Sequence, residues 1–183
     1  MRGPAIGLIE LNSIASGFFT TDAMVKKAQV TILKSSPICA GKFMVLISGY
    51  EAEVTEAMKD GREAAQGYIV DEIVIYNLHD FVVPAIIGAS EVTGIDSIGI
   101  LETFSVASAI ISADAAAKEA DVKLIDLRLA NGLGGKSYFT FTGELFDVEA
   151  AMKKAKDTVL EMGMYVNDRI IARPHKDMAD VIL

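Results

Sequence analysis

Two hydrophobic patterns alternate along the chain. Short continuous apolar runs, AIGLIEL (5–11), VTILKSS (30–36), FMVLISG (43–49) and EIVIYNL (72–78), carry the β-branched and aromatic residues of strands. Between them lie longer stretches with polar residues on one face, at about 13–28 and in EAEVTEAMKDGREAA (51–65), which suit helices. The same series then recurs. IGILETF (98–104), VKLIDLRLA (122–130), YFTFTG (138–143) and NDRIIAR (167–173) read as strands, and 105–120 and ELFDVEAAMKKAKDTVLEMG (144–163) as helices. In the last of these, Val148, Met152, Ala155, Val159 and Met162 recur at helical spacing, and Gly163 supplies a left-handed stop.

The recurrence extends to residue identities. AIGLIELNSIASGFFTTDAMVKKAQVTIL returns as SIGILETFSVASAIISADAAAKEADVKLI, with Ile6 matching Ile98 at an offset of 92. Gly7/Gly99, Glu10/Glu102, Ser13/Ser105, Asp22/Asp114 and Lys26/Lys118 are among the matched pairs. AGKFMVLISGYEAEVTEAMK returns as GGKSYFTFTGELFDVEAAMK at an offset of 94, so the second copy has two extra residues in its middle loop. The ends match as well, VIYNLHD against IIARPHK, pairing His79 with His175. A period of about ninety residues is a duplicated domain rather than a solenoid unit. Each copy has the β-α-β-β-α-β order of a split βαβ, so the fold predicted is α+β, two tandem ferredoxin-like domains over 1–94 and 95–183. Copies of such a chain can close into a ring through head-to-tail interfaces.

Composition narrows the function. Half of the residues are hydrophobic (51%), with a mean hydropathy of +0.37. No run is long and uncharged enough for a membrane span: TFSVASAIISA is bounded by Glu102 and Asp114. The start, MRGPAIGLIELNS, meets Glu10 before a signal-peptide core can develop, so a cytoplasmic protein is expected. The apolar surplus then points to surface buried between subunits. A net charge of −8 argues against a nucleic-acid platform. No Ser/His/Asp pattern, paired-carboxylate motif or cysteine-based metal spacing is present, and the chain reads as a non-enzyme.

The remaining candidate chemistry is sparse. NGLGGKS resembles a phosphate-binding loop, but Ala130 stands where the motif needs Gly, and a strand rather than a helix follows. A loop that approaches a neighbour closely, with glycine letting backbones crowd, is the simpler reading. His79 and His175 are duplicates near the end of each unit, which favours a packing or edge role over a metal site. Glu10 and Glu102 end equivalent strands, where structural hydrogen bonding is as good a reading as acid–base work. Cys39 is the single cysteine, in KSSPICAGK between Pro37 and Gly41. One thiol makes neither an intrachain disulfide nor a complete metal site, and a lone cysteine often merely fills space.

With AIGLIELNSIASG, ICAGKF, GLGGK and ARPH in place, the chain resembles the bacterial microcompartment shell proteins over essentially its whole length, in their trimeric two-domain, non-permuted form. The resemblance implies a pseudo-hexameric homotrimer that tiles with other shell proteins, located in a microcompartment shell in the cytoplasm, with a pore on its axis. It assigns the pore to Ile38, Cys39, Ala40 and Gly41 of the first loop and Asn131, Gly132, Leu133 and Gly134 of the second. It assigns the tile edge to Lys26, Lys118 and Arg173. In the type from propanediol-utilising compartments the matching cysteine of three chains holds one [4Fe–4S] cluster, which implies electron transfer across the shell and an encapsulated or cytosolic redox enzyme as partner. Two departures are visible: Ala40 stands where that type has Pro, and the first copy has Asn77-Leu78 where the second has Arg173-Pro174. A tile whose pore conducts small metabolites without a redox centre, and a soluble redox or signalling trimer with no shell, are the rival readings.

Overall fold

The computed structural model describes residues 4–182; residues 1–3, where the N-terminal stretch considered above begins, and residue 183 lie outside it. The chain forms two compact units that divide between Leu78 and His79. The first comprises β1 (Ala5–Leu11), α1 (Ile14–Lys27), β2 (Thr31–Ile38), β3 (Lys42–Gly49), α2 (Glu51–Ala65) and β4 (Ile69–Ile75). A short helix, α3 (Val82–Ile87), opens the second. It is followed by β5 (Ser97–Thr103), α4 (Val106–Glu119), β6 (Lys123–Leu129), β7 (Ser137–Gly143), α5 (Leu145–Glu161) and β8 (Tyr165–Ala172). A 3₁₀ turn (Lys176–Met178) leads into α6 (Ala179–Ile182).

Each unit holds a four-stranded sheet, β2-β3-β1-β4 and β6-β7-β5-β8, antiparallel throughout. This is the split βαβ arrangement expected of the α+β, ferredoxin-like fold. The helix limits are local in origin. Ser13 and Ser105 cap α1 and α4, their side chains accepting from the backbone N–H groups of Ser16 and Ser108.

In the first unit Ala5, Ile9 and Leu11 of β1 and Phe43, Val45 and Ile47 of β3 pack with Met24 of α1 and Val54, Ala57 and Met58 of α2. The alternate positions Ile6, Leu8, Met44 and Leu46 are buried too. The central strands therefore read as unbroken apolar runs instead of alternating ones. Glycine is needed at two close approaches: a Cβ on Gly99 of β5 would lie 2.2 Å from the ring of its cross-strand partner Phe141 on β7, and one on Gly17 of α1 2.2 Å from the Phe43 ring of β3.

The repeat alone places the junction at 94/95, but the connecting segment belongs with the second unit. α3 packs on β6 and α4 and buries Val82, Ala85 and Ile86. The turn before it is tied down by the backbone N–H of His79, which donates to Asp114 Oδ1 at 2.8 Å.

Candidate functional site

The first candidate loop is shorter than the sequence suggests. Ile38 pairs with Lys42 as the last rung of the β2–β3 hairpin, which leaves Cys39, Ala40 and Gly41 as the turn. Pro37 is a strand residue, tolerated because β2 is an edge strand. Gly41 has φ +75 with open space around it within the chain, so its backbone conformation alone favours glycine there. Ile38 is buried, Cys39 half-buried, and Ala40 and Gly41 exposed. Cys39 thus opens a tight hairpin turn whose other two residues, Ala40 and Gly41, are small.

The second loop, 130–136, joins β6 to β7. Gly132, Gly134 and Gly135 take positive φ values of 74, 63 and 90, and the backbone N–H of Lys136 donates to Leu133 O at 3.2 Å. Asn131, Gly132 and Gly134 are exposed, Leu133 half-buried, and no ligand-type side chain replaces the cysteine of the first loop. The loop leads into strand β7, so it offers no helix N-terminus to a phosphate.

A charged pair stands at the base of each loop, which residue patterns alone did not reveal. Lys42 Nζ donates to Glu10 Oε2 at 2.7 Å, and Lys136 Nζ to Glu102 Oε2 at 3.0 Å. Both glutamates precede a register slip of the central strand against its outer neighbour, β1 against β4 and β5 against β8. The pairs differ in burial. The Glu10 side chain is 1% exposed, and its Oε1 has no hydrogen-bond partner, whereas Glu102 is 34% exposed. The glutamates therefore anchor the strand that leaves each loop; the recurrence of both residues in the two copies, Glu10/Glu102 and Lys42/Lys136, was the signal available in the sequence.

The residues assigned to the edge lie elsewhere. Lys26 and Lys118 each pair with the aspartate one helical turn back, Asp22 and Asp114, at 2.6 Å. Arg173 is exposed and left-handed (φ 48), its N–H donating to Asp96 O at 3.1 Å; Asn77 holds the same conformation (φ 58) at the matching point of the first unit. The duplicated histidines form the same turn. His79 Nδ1 accepts from the N–H of Phe81 at 3.3 Å, and His175 Nδ1 from that of Asp177 at 3.4 Å. A further cluster joins α5 to β8: Lys156 Nζ lies 2.7 Å from Asp168 Oδ1, and the Tyr165 hydroxyl donates to the same oxygen at 2.5 Å. Burial raises the Asp168 pKa, but the hydrogen bonds from Lys156 and Tyr165 with the Lys156 charge outweigh it, and the carboxyl sits below its ordinary range.

Among the described residues, no group of three or more His, Cys, Asp or Glu side chains could hold a metal ion within one chain. No helix among them is long and apolar enough to cross a membrane.

The BMC domain model matches the chain twice, over 5–78 and 97–174. The chain is 41% identical to the bacterial microcompartment shell protein PduT of Citrobacter freundii over 174 residues, 95% of each protein. It is 37% identical to the carboxysome shell protein CsoS1 of Prochlorococcus marinus (strain MIT 9313) over 91 residues, 49% of this chain and 85% of that one. A crystal structure of a microcompartment protein from Desulfitobacterium hafniense DCB superposes with a TM-score of 0.93 at 41% identity, covering 97% of this chain and 98% of that one. With two such domains in tandem along nearly its whole length, the chain belongs to the bacterial microcompartment shell proteins, a family of structural components of the shell.

Proposed function

We propose that three copies of the chain form one shell tile and that their three Cys39 thiolates hold a [4Fe–4S] cluster on the tile axis. The observation that carries this reading is the position of Cys39 in a three-residue hairpin turn, followed by exposed Ala40 and Gly41. The donor set suits the group. A chain offers one soft ligand there and its described residues form no metal-binding cluster, so only symmetry-related copies can supply several convergent thiolates. Such clusters take four ligands as a rule, and the fourth would come from outside these three residues. A bound cluster would supply one-electron transfer across the shell, with an encapsulated or cytosolic redox enzyme as partner. The chain's own contribution is to set the exposure and hydrogen bonding around the sulfurs, which tune the potential. The buried Glu10–Lys42 pair would hold the base of the loop.

The test is anaerobic reconstitution of the wild type and Cys39→Ser, with iron per assembled tile and the EPR spectrum as readouts. The wild type is expected to bind four irons per three chains, as the formula of one such cluster requires. The serine variant should bind none and assemble unchanged. Iron uptake that is equal in the two proteins, or absent from the wild type, would replace this reading with that of a metabolite-conducting pore.

A further inference from the structure

The two copies of the duplicated domain are unequally covered at the surface. In the second unit, α3 lies across β6 and α4, with Phe81 and Pro84 near Leu124. On those two elements the apolar positions are sealed: Ile110 of α4 is 0% exposed and Leu124 of β6 2%. The matching positions of the first unit are bare, with Phe18 of α1 60% exposed and Ile32 of β2 43%. Ile14 of α1 is open as well, whereas its counterpart Val106 is buried.

The polar anchor repeats the contrast. Asp114 Oδ2 takes the Lys118 ammonium while Oδ1 takes the His79 N–H, and its side chain is 10% exposed. Asp22 holds Lys26 in the same way, but its side chain is 55% exposed. Its other oxygen is the counterpart, by the repeat, of the one that accepts the turn N–H in the second unit.

The chain also carries a second copy of the covering segment. After β8, residues 175–182 repeat 79–86: the N–H of Met178 donates to His175 O at 2.8 Å, as that of Val82 donates to His79 O at 3.0 Å. The histidine Nδ1 caps the same turn in both. Val82, Ala85 and Ile86 correspond to Met178, Val181 and Ile182. The first three are buried, but Val181 is 75% exposed, and on its own unit the segment borders a cleft of about 510 Å³ lined by Ile125, Thr140, Met178 and Ile182.

We infer that the α1–β2 face of the first unit receives the 175–182 segment of a second copy of this chain, with Asp22 accepting the backbone N–H of that copy's His175. One chain thus carries both the bare face and the segment that fits it. The contact is head-to-tail, the kind that closes into a ring when the rotation allows. It deepens the proposed tile by naming the joint between chains, and rests on self-assembly but not on the cluster.

The full-length chain with benzoylphenylalanine at position 18 tests this by photo-cross-linking. The expected product is a band of twice the chain mass on a denaturing gel, with the cross-link mapped to residues 176–182. Asp22→Ala, which removes a charged hydrogen-bond acceptor, should weaken chain–chain association about tenfold or more in analytical ultracentrifugation. Deletion of the residues after His175 should do so as well. The inference is overturned if the cross-link stays within one chain, falls on another segment or fails to form, or if both variants associate as tightly as the wild type. In those cases an associating wild type keeps the tile reading alive. A wild type that sediments as a monomer ends both.

Discussion

Replacing Lys42 by Met isolates the pair at the base of the first loop. The Glu10 side chain is 1% exposed and its Oε1 already lacks a partner, so the substitution strands a carboxylate that water hardly reaches. Removing one partner of a fully buried pair costs about 3–5 kcal/mol. The Lys42 side chain is 24% exposed, so part of that cost is relieved by solvent, and about 2–3 kcal/mol is expected. Native-state hydrogen exchange can locate the loss, because it reads each unit separately in a protein that need not unfold in one step. Amides of the β1–β3 ladder should lose protection by about 30- to 150-fold. The duplication supplies the control. Lys136→Met strands Glu102, which is 34% exposed, and should cost about 1 kcal/mol or less, about fivefold in the β5–β7 ladder. Adding Glu10→Gln to Lys42→Met removes the buried charge and should restore more than half of the loss. Equal losses in the two units, or a double variant worse than Lys42→Met alone, would refute the argument that burial of Glu10 sets the size of the effect.

Gly99→Ala puts a methyl against the rigid Phe141 ring and should cost about 2–3 kcal/mol by chemical denaturation; Gly7→Ala meets the flexible Met58 side chain and should cost about 1 kcal/mol or less. Arg173→Ala should leave fold and chain–chain association intact but reduce lateral assembly into sheets seen by electron microscopy, provided the exposed arginine acts at the tile edge. The depressed Asp168 pKa means that the folded state gains stability above the ordinary aspartate range, near pH 4, and loses it as pH falls through the lower folded value. Asp168→Asn should therefore be less stable than the wild type at neutral pH, with the difference shrinking in acid, as followed by thermal unfolding across pH.

Short-range chemistry made the architecture legible. The hydrophobic periods placed the eight strands and four long helices, since each depends on neighbours within a turn or two. Ser13 and Ser105 marked where α1 and α4 begin because a cap acts on backbone three residues away. Gly163, at φ 67, stops α5 where its lack of a Cβ predicts. The repeat gave the two-domain organisation, and Cys39 with the glycine-rich second loop stood out because side chains of that kind at a turn are uncommon choices for packing. Tertiary structure decided the rest. Glu10 and Lys42 are 32 residues apart and meet only through the β1–β3 register, so neither pattern nor composition announces their pair. Ile38 and Pro37 joined the strand rather than the loop because β2 and β3 continue pairing up to Lys42. The segment after Leu78 went to the second unit because Val82, Ala85 and Ile86 gain burial against β6 and α4, a choice between surfaces that no local preference encodes. The same cause separates duplicated residues that the sequence makes equivalent. Ile110 is sealed and Phe18 bare because burial depends on what packs over each face, and that is a property of the folded chain.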